Sequence, residues 1–344
     1  MSFGTAWDPH FGGLTRDESL KVLDAYFDAG GNFIDLANSY TDEQSEAIVG
    51  EWLQERGVRD RVVLATKFGM DYKFHEHGKN EVVNYGGNSK VSMHLSVRDS
   101  LKKLKTDWID IFYLHMWDYT VGIEEMMDSL HLLVQQGKVL YLGISNAPAW
   151  FVSAANTYAK SHGKTPFSVY QGLYNVAQRD LESDIIPMSR AFGLGITAFN
   201  VLSAGKLKSK ATIETREKSG EEVFRLLQSQ TPAEANASAA LEKVASELGA
   251  KVETVAIAWV MAKFPYVFPT LGMKRPEHVA DAMEALRIRL SPEHIQALEE
   301  ASPASKLFPM SILEDPANTG KLAPVLMAPA TVDLVRAQRP IGYE

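Results

Sequence analysis

Four titratable side chains stand at or just after the ends of three successive short apolar runs. Asp35 closes FID and Tyr40 follows it five residues later, Lys67 lies near the end of VVLATKFG, and His115 lies near the end of IDIFYLHM. An acid, a phenol, an amine and an imidazole together suit the reduction of a carbonyl group, because the alkoxide that forms must receive a proton. A phenol with an ordinary pKa of about 10 supplies that proton poorly at neutral pH.

The neighbouring charges suggest how the phenol would be tuned. We expect Lys67 to stabilise the phenolate and so lower the pKa of Tyr40, while a buried Asp35 keeps that ammonium charged and in place. An imidazole at His115 would polarise and orient the carbonyl oxygen. Taken singly, each residue also suits a plain structural role as a turn cap, a solvated cation or a packed ring. Their order on successive strands favours one catalytic group.

The elements that must position these residues alternate along nearly the whole chain. Strands are predicted at 32–36, 62–68, 109–115, 139–145, 168–172, 195–200 and 267–272. A helix is predicted at 16–29, and the starts of later helices are indicated by Asp42, Ser92, Pro148, Pro276 and Pro292. Repeated strand and helix units predict parallel strands joined by right-handed crossovers.

The predicted fold class is α/β, a (β/α)8 TIM barrel, with a doubly wound sheet as the alternative. Polar residues recur at the carboxyl ends of many strands, where barrels place their sites, and no GxGxxG motif follows an early strand. We expect a single barrel domain over 1–344, with long loops at 69–88 and 202–233 and a C-terminal tail at 302–344. Such long connections commonly form lids or substrate walls.

Composition narrows the class of protein further. The chain has 344 residues, of which 45% are hydrophobic, so it can bury a full core. A formal net charge of −8, with neither Lys nor Arg gathered into a block, argues against a nucleic-acid partner. There is no cysteine, which excludes disulfides and thiolate metal sites, and no metal site is predicted. The start lacks a signal-peptide pattern, and no run of about 18 apolar residues occurs, so we expect a cytoplasmic protein without a membrane partner.

Longer stretches of the sequence resemble the aldo-keto reductases, in particular the fungal aryl-alcohol dehydrogenase and norsolorinic acid reductase group. The stretches that carry the resemblance are FIDLANSY, ATKFG, LKKLKTDWIDIFYLHMWDYT, LVQQGKVLYLGISNAPAW, VYQGLYN and IIPMSRAFGLGITAFNVLSAGKL. The resemblance implies a catalytic tetrad of Asp, Tyr, Lys and His, which falls on Asp35, Tyr40, Lys67 and His115. It also implies NADPH as the cofactor.

The same resemblance implies a set of cofactor-binding residues. Ser145, Asn146 and Gln171 would hold the carboxamide of the nicotinamide, and Phe199 would stack on its ring. The loop from Val201 to Lys206 would surround the pyrophosphate. The full set of cofactor-binding residues implied in this way is Ser145, Asn146, Gln171, Phe199, Val201, Lys206, Gly272, Lys274, Arg275 and His278. Cations at Lys274 and Arg275 suit the 2′-phosphate that distinguishes NADPH from NADH.

The N-terminus departs from the family pattern. Members begin with a short hairpin and a first strand that lead into a segment like MSFGTAW, with which this sequence begins. We therefore expect the N-terminal hairpin and most of the first strand to be absent, which leaves neighbouring strand edges unpaired. Another segment such as the tail, or a second subunit, would cover the gap, or the cofactor site is compromised. The sequence does not indicate an oligomeric state.

The resemblance and the tetrad together predict an NADPH-dependent oxidoreductase that reduces an aromatic aldehyde or ketone, a small-molecule substrate, with Tyr40 as proton donor. Five loop aromatics either line the substrate pocket or pack the loops: Trp7, Tyr72, Phe74, Trp117 and Tyr119. Two alternatives stay open. The first is a cofactor-impaired barrel with a regulatory or interaction role. The second is a dehydratase or isomerase of a biosynthetic pathway that uses Tyr40 and His115 as acid and base.

Overall fold

The computed structural model describes residues 1–8, 12–78, 81–219, 229–304, 308–310 and 312. The strands are β1 (Phe33–Asp35), β2 (Val63–Phe68), β3 (Ile109–Leu114), β4 (Val139–Ser145), β5 (Phe167–Leu173), β6 (Gly195–Phe199) and β7 (Val267–Pro269). The helices are α1 (Arg16–Asp28), α2 (Gln44–Arg56), α3 (Phe74–His77), α4 (Lys90–Leu104), α5 (Ile123–Gln135), α6 (Ala149–Ser161), α7 (Ile185–Phe192), α8 (Lys210–Ser219), α9 (Pro232–Leu248), α10 (Val252–Lys263), α11 (Pro276–Glu284) and α12 (Pro292–Ala301). All seven predicted strands are present, although β7 ends at Pro269 rather than at residue 272.

Residue contacts divide the chain into two compact units. One consists of Met1–Gln171 with Gly272–Ala280, and the other of Gly172–Leu271 with Asp281–Glu344. The prediction of a single barrel domain is not tested by this division and stays a prediction.

In the first unit, β1 to β5 form a parallel sheet in chain order. Asp35 pairs in register with Ala65, Lys67 with Tyr113, and Ser145 with Gln171. Because parallel strands share a direction, their carboxyl ends all lie on one edge of the sheet. The parallel α/β architecture is thus confirmed, and it is consistent with the barrel that the sequence predicts.

The inner packing of this sheet depends on one small residue. A Cβ atom added to Gly143 in β4 would lie 2.4 Å from Cδ1 of Tyr113 in β3, which is closer than real contacts allow. Tyr113 is fully buried, and the ammonium of Lys67 lies 5.7 Å from the centre of its ring. Gly143 therefore leaves space for the Tyr113 ring, which contacts the ammonium of Lys67.

The helix starts agree with the predictions in part. Pro276 and Pro292 are the first residues of α11 and α12, and Pro148 is the N-cap of α6. The prediction at Ser92 was displaced, because α4 begins at Lys90 and is capped by Ser89, whose side chain accepts from the Ser92 amide. The prediction at Asp42 was wrong. That residue lies in a left-handed turn, and α2 begins only at Gln44.

In the second unit, β6 and β7 pair in parallel, with Ile196 opposite Val267. The indole of Trp259 is fully buried and packs against Tyr174, whose ring centre lies 5.3 Å away. Buried Arg179 forms ion pairs with Glu182 and Glu299. These contacts stabilise the core of the second unit, which contains β6.

The predicted long loops contain helical segments. Helix α3 lies within 69–88, while a 3₁₀ turn at Ser203–Gly205 and helix α8 lie within 202–233. Residues 79–80 and 220–228 of these loops, and most of the tail at 302–344, lie outside the described residues. The predicted covering of a strand edge by the tail falls there too.

Among the described residues, the strand-type bridges of the N-terminal segment join it to its own continuation. Phe3 and Gly4 form isolated bridges to Leu14. The predicted absence of a hairpin and a first strand stays a prediction. Within the described part of the chain, every helix is too short or too polar to cross a bilayer.

Candidate active site

The predicted catalytic group contains an ion pair between Asp35 and Lys67. Lys67 Nζ donates to Asp35 Oδ2 at 2.7 Å and to the carbonyl oxygen of Leu36 at 2.5 Å. Its side chain is fully buried, and that of Asp35 is 8% exposed. Burial works against the ammonium, but Asp35 and Tyr40 together outweigh this effect, so the pKa of Lys67 is raised. Lys67 is therefore a fixed cation at neutral pH.

Tyr40 lies beside this cation. The ammonium of Lys67 is 5.1 Å from the centre of the Tyr40 ring. Burial raises the pKa of the Tyr40 phenol, since a phenolate would be poorly solvated there, and this effect outweighs the lowering by Lys67. The expected lowering by Lys67 is present, but the pKa of Tyr40 is raised overall because burial has the larger effect. Tyr40 is held in its protonated form, which can donate.

His115 directly follows β3 and faces the same phenol. Its imidazole meets the Tyr40 ring edge to face, with 5.8 Å between ring centres. Burial, with a contribution from the charge of Lys67, lowers the pKa of His115 to about 3. Nδ1 of this imidazole is buried and has no hydrogen-bond partner among the described residues. The ring is therefore neutral at physiological pH and suits hydrogen bonding to a neutral oxygen.

The backbone after Tyr40 adopts an unusual conformation. Thr41, Asp42 and Glu43 have φ angles of 49°, 50° and 71°, although none of them is glycine. A left-handed conformation costs a non-glycine residue about 1–2 kcal/mol. Tyr40 therefore directly precedes a strained turn of three such residues, and strain of this kind often accompanies functional sites.

Two polar side chains lie on the neighbouring strand ends. Asn146, with a φ of 49°, donates from Nδ2 to the carbonyl oxygen of His115 at 3.1 Å and to Ser145 Oγ at 2.9 Å. Gln171 donates from Nε2 to Asp35 Oδ1 at 2.9 Å. The amide and hydroxyl groups of Ser145, Asn146 and Gln171 therefore lie on the same strand-end edge as the four titratable groups.

Comparison with known proteins decides the family. The model of the Aldo/keto reductase family matches residues 1–303. The chain belongs to the aldo/keto reductase family. This membership confirms the resemblance seen in the motifs, and with it the enzyme class of the aldo-keto reductases.

Three curated relatives of this aldo-keto reductase are similar over most of its length. It is 50% identical to the aldo-keto reductase ausK of Emericella nidulans over 346 aligned positions, which cover 100% of the chain and 87% of the relative. It is 51% identical to the aryl-alcohol dehydrogenase [NADP(+)] of Phanerodontia chrysosporium, with 92% and 84% covered. It is 41% identical to norsolorinic acid reductase B of Dothistroma septosporum, with 100% and 87% covered.

A basic cluster of Lys274, Arg275 and His278 lies in the first unit, at the start of α11. The backbone amide of Lys274 donates to His278 Nδ1 at 3.3 Å, and Arg275 Nη2 lies 3.2 Å from His278 Nε2. A Cβ atom on Gly12, whose φ is +60°, would lie 2.5 Å from Lys274 Nζ, so the absence of a side chain there leaves room for the ammonium. Gly272 lies exposed just before the cluster.

The donor set of the first unit fits the cofactor that an aldo-keto reductase uses. A hydroxyl and amides at Ser145, Asn146 and Gln171 complement a carboxamide. An ammonium and a guanidinium at Lys274 and Arg275 complement a phosphate.

The remaining predicted cofactor residues belong to the second unit. Phe199 ends β6 and is half-buried, and Val201 is buried. Lys206 Nζ lies 3.3 Å from Glu234 Oε2, and Ser203 Oγ donates to Glu234 Oε1 at 2.6 Å. The charge of Lys206 is therefore already balanced by a carboxylate. Its predicted role at the pyrophosphate stays a prediction and must account for Glu234.

The five loop aromatics take different positions. Trp117 and Tyr119 lie in a cluster with Trp150 and Phe151. The centre of the Trp117 ring is 3.9 Å from that of Tyr119 and 4.1 Å from that of Phe151. The other three lie apart from this cluster: Trp7 contacts Tyr40, buried Tyr72 donates to Asp99, and Phe74 is 59% exposed. Sequence reasoning missed Trp150, although its place five residues after Ser145 is a usable signal.

Proposed function

We propose that this protein is an NADPH-dependent aldo-keto reductase that reduces an aromatic aldehyde or ketone to the alcohol, with Tyr40 as the proton donor. The observation that carries the proposal is the convergence of Asp35, Lys67, Tyr40 and His115 within one unit of the structure. The family supplies the reaction class. A relative named for NADP(+) supports the choice of cofactor.

When bound, NADPH would supply the hydride that the carbonyl carbon receives. The residues of this chain would do the rest. His115, neutral because of its lowered pKa, donates a hydrogen bond to the carbonyl oxygen and orients it. Tyr40 gives its phenolic proton to the developing alkoxide, and the Lys67 ammonium stabilises the phenolate that this transfer leaves. Asp35 keeps Lys67 charged and fixed throughout.

The predicted cofactor-binding residues would have the following roles. Ser145, Asn146 and Gln171 would bind the carboxamide, and Phe199 would stack on the nicotinamide. Val201 and Lys206 belong to the loop that would surround the pyrophosphate. Gly272, Lys274, Arg275 and His278 would bind the adenosine phosphate. The 2′-phosphate preference predicts that Lys274→Ala raises the Kd for NADPH much more than the Kd for NADH.

The aromatic preference rests on the cluster around Trp117. Its indole Nε1 is buried and has no hydrogen-bond partner among the described residues, while Tyr119 and Trp150 are 72% and 59% exposed. Exposed rings beside the half-buried Trp117 ring form a face on which a flat apolar ring can stack. Loss of that face in Trp117→Ala is expected to raise KM for a benzaldehyde more than KM for a short aliphatic aldehyde.

The deciding experiment measures NADPH binding and turnover separately. NADPH fluorescence titration gives Kd, and absorbance at the nicotinamide band gives the rate with benzaldehyde-type substrates. We expect binding and turnover in the wild type, and binding without turnover in Tyr40→Phe. Tyr158→Phe is the matched control, because the Tyr158 hydroxyl donates to Asp128 on the surface, away from the catalytic group. Turnover retained in Tyr40→Phe would remove Tyr40 from its assigned role, and binding without any wild-type turnover would favour a regulatory protein.

A further inference from the structure

Each residue of the left-handed turn after Tyr40 is held by its own side chain. Thr41 Oγ1 donates to the carbonyl oxygen of Phe3 at 2.6 Å. Asp42 Oδ1 accepts from the indole Nε1 of Trp7 at 2.9 Å. Glu43 accepts from two lysine side chains, Lys73 and Lys103. Since this backbone conformation is unfavourable for residues with a side chain, these contacts are what select it.

Trp7 differs from the other partners of the turn because it also contacts the phenol itself. Its ring meets that of Tyr40 at 6.3 Å between centres and at 68° between planes. The indole therefore touches Tyr40 directly through its ring and indirectly through Asp42.

The segment that carries Trp7 is itself docked on the start of α2. The amide of Thr5 donates to Gln44 Oε1 at 2.8 Å, and Ser45 Oγ donates to the carbonyl oxygen of Phe3 at 2.7 Å. Both bonds lead to residues that directly follow the turn in the chain. They give the indole a fixed place from which to hold Tyr40.

We propose that Trp7 is a positioning residue, whose hydrogen bond to Asp42 and edge contact with the Tyr40 ring hold the Tyr40 hydroxyl where it can donate beside His115. The inference rests on the proposed function in one respect, namely that Tyr40 is the proton donor. Proton transfer requires the donor within hydrogen-bond reach of the oxygen, so a displacement of about 1 Å can cost up to about 100-fold in rate. A mobile Tyr40 would therefore bind substrate normally and react slowly.

The chain offers a matched control for the loss of an indole hydrogen bond. Trp52 Nε1 donates to Asp24 Oδ1, also at 2.9 Å, and joins α2 to α1 away from the catalytic group. Trp7→Phe and Trp52→Phe each remove one indole donor to an aspartate. We expect Trp7→Phe to lower kcat by about 10- to 100-fold with little change in KM or in the Kd for NADPH. Trp52→Phe should lose thermal stability and keep kcat.

Variants of Asp42 test whether the effect passes through the turn. Asp42→Asn keeps an oxygen that accepts the indole N–H and should retain most of kcat. Asp42→Leu removes the acceptor and should match Trp7→Phe. The double variant Trp7→Phe with Asp42→Leu should be no slower than the worse single variant, because both remove the same interaction. Fully additive losses of kcat would overturn the proposal. A rise in KM with unchanged kcat would also overturn it, because Trp7 would then line the substrate pocket.

Hydrogen exchange keeps this inference separable from the proposed function. Amide exchange of the peptide that contains Tyr40 and the left-handed turn should speed up in Trp7→Phe and stay at the wild-type rate in Trp52→Phe. Should the wild type reduce no carbonyl compound, the proposed function fails, while the exchange result still decides whether Trp7 holds the turn. Unchanged exchange in Trp7→Phe would overturn the positioning role.

Discussion

Gln171 donates a hydrogen bond to Asp35 at 2.9 Å, although 136 residues separate them and three strands lie between β1 and β5 in the sheet of the first unit. A flat sheet could not bring those two strand ends into contact, since neighbouring strands are about 4.8 Å apart. The sheet of this unit must therefore curl. Both oxygens of Asp35 have partners, Lys67 on one and Gln171 on the other, which leaves the carboxylate no freedom to turn.

The first prediction concerns the charge of Asp35. Asp35→Asn keeps an oxygen that can accept from Gln171 but leaves the buried ammonium of Lys67 without a counter-charge. Breaking a buried ion pair from one side costs about 3–5 kcal/mol of unfolding free energy. We expect a loss of this size in urea denaturation, together with a large loss of kcat.

Two further variants make that result specific. Asp99→Asn serves as the control, because Asp99 accepts from Tyr72 and pairs with Arg98, which is solvent-exposed. Adding Lys67→Met to Asp35→Asn removes the stranded charge, so it should recover much of the stability and none of the activity. Equal stability of Asp35→Asn and the wild type would show that the pair contributes little.

The second prediction follows from the raised pKa of Tyr40. Because burial keeps the phenol protonated, the donor form persists above the ordinary phenol pKa of about 10. The kcat of carbonyl reduction should therefore stay level from about pH 6 to pH 9. Alcohol oxidation needs the phenolate as base, so its rate should rise with pH over that range. Rates measured at saturating substrate and constant ionic strength test this prediction. A fall in the rate of carbonyl reduction that sets in below pH 9 would contradict it.

The third prediction uses His115, whose pKa is lowered to about 3 in the folded protein. The unfolded chain has an ordinary histidine pKa near 6.5, so it takes up a proton first as the pH falls. The stability contribution is complete above about pH 6.5 and is lost on acidification towards about pH 3. The unfolding free energy of the wild type should thus fall more steeply than that of His115→Asn, by up to about 1.4 kcal/mol per pH unit. Parallel curves for the two proteins would contradict the burial of a neutral imidazole.

The sequence predicted those features of the site that depend on residues close together in the chain, and missed those that depend on distant residues. Asp35, Lys67 and His115 were placed correctly at strand ends because an apolar run and the polar residue that closes it are neighbours in the chain. The bond between Gln171 and Asp35 has no such local signal, so the sequence indicated only a cofactor role for Gln171. The sequence indicated that Lys67 lowers the pKa of Tyr40, but it did not indicate that burial raises this pKa by more, because the spacing of residues does not reveal burial.

Asp42 shows a second kind of failure. An aspartate before a helical pattern is a typical helix start, so the sequence predicts one at Asp42. In the structure its carboxylate accepts from Trp7 instead, and the backbone turns left-handed before α2 begins. A tertiary partner 35 residues away along the chain thus overrides a local preference.

The last prediction concerns Gly143, which makes room for the Tyr113 ring beneath Lys67. A methyl group at residue 143 would lie 2.4 Å from Cδ1 of that ring, so Tyr113 must move. Overpacking of this kind costs about 1–3 kcal/mol. Gly143→Ala should lower stability by that amount in urea denaturation and should also lower kcat, because the ring that moves contacts Lys67.

A second glycine in a strand provides the control for this substitution. A Cβ atom on Gly195 in β6 would have its nearest neighbour at 3.9 Å, an ordinary contact, so Gly195→Ala should cost little. Replacing the ring by a smaller side chain in Gly143→Ala with Tyr113→Leu should make the combined loss smaller than the sum of the single losses, because the clash disappears. Additive losses would mean that the glycine serves the strand for another reason, and the link from Gly143 through Tyr113 to Lys67 would be lost with it.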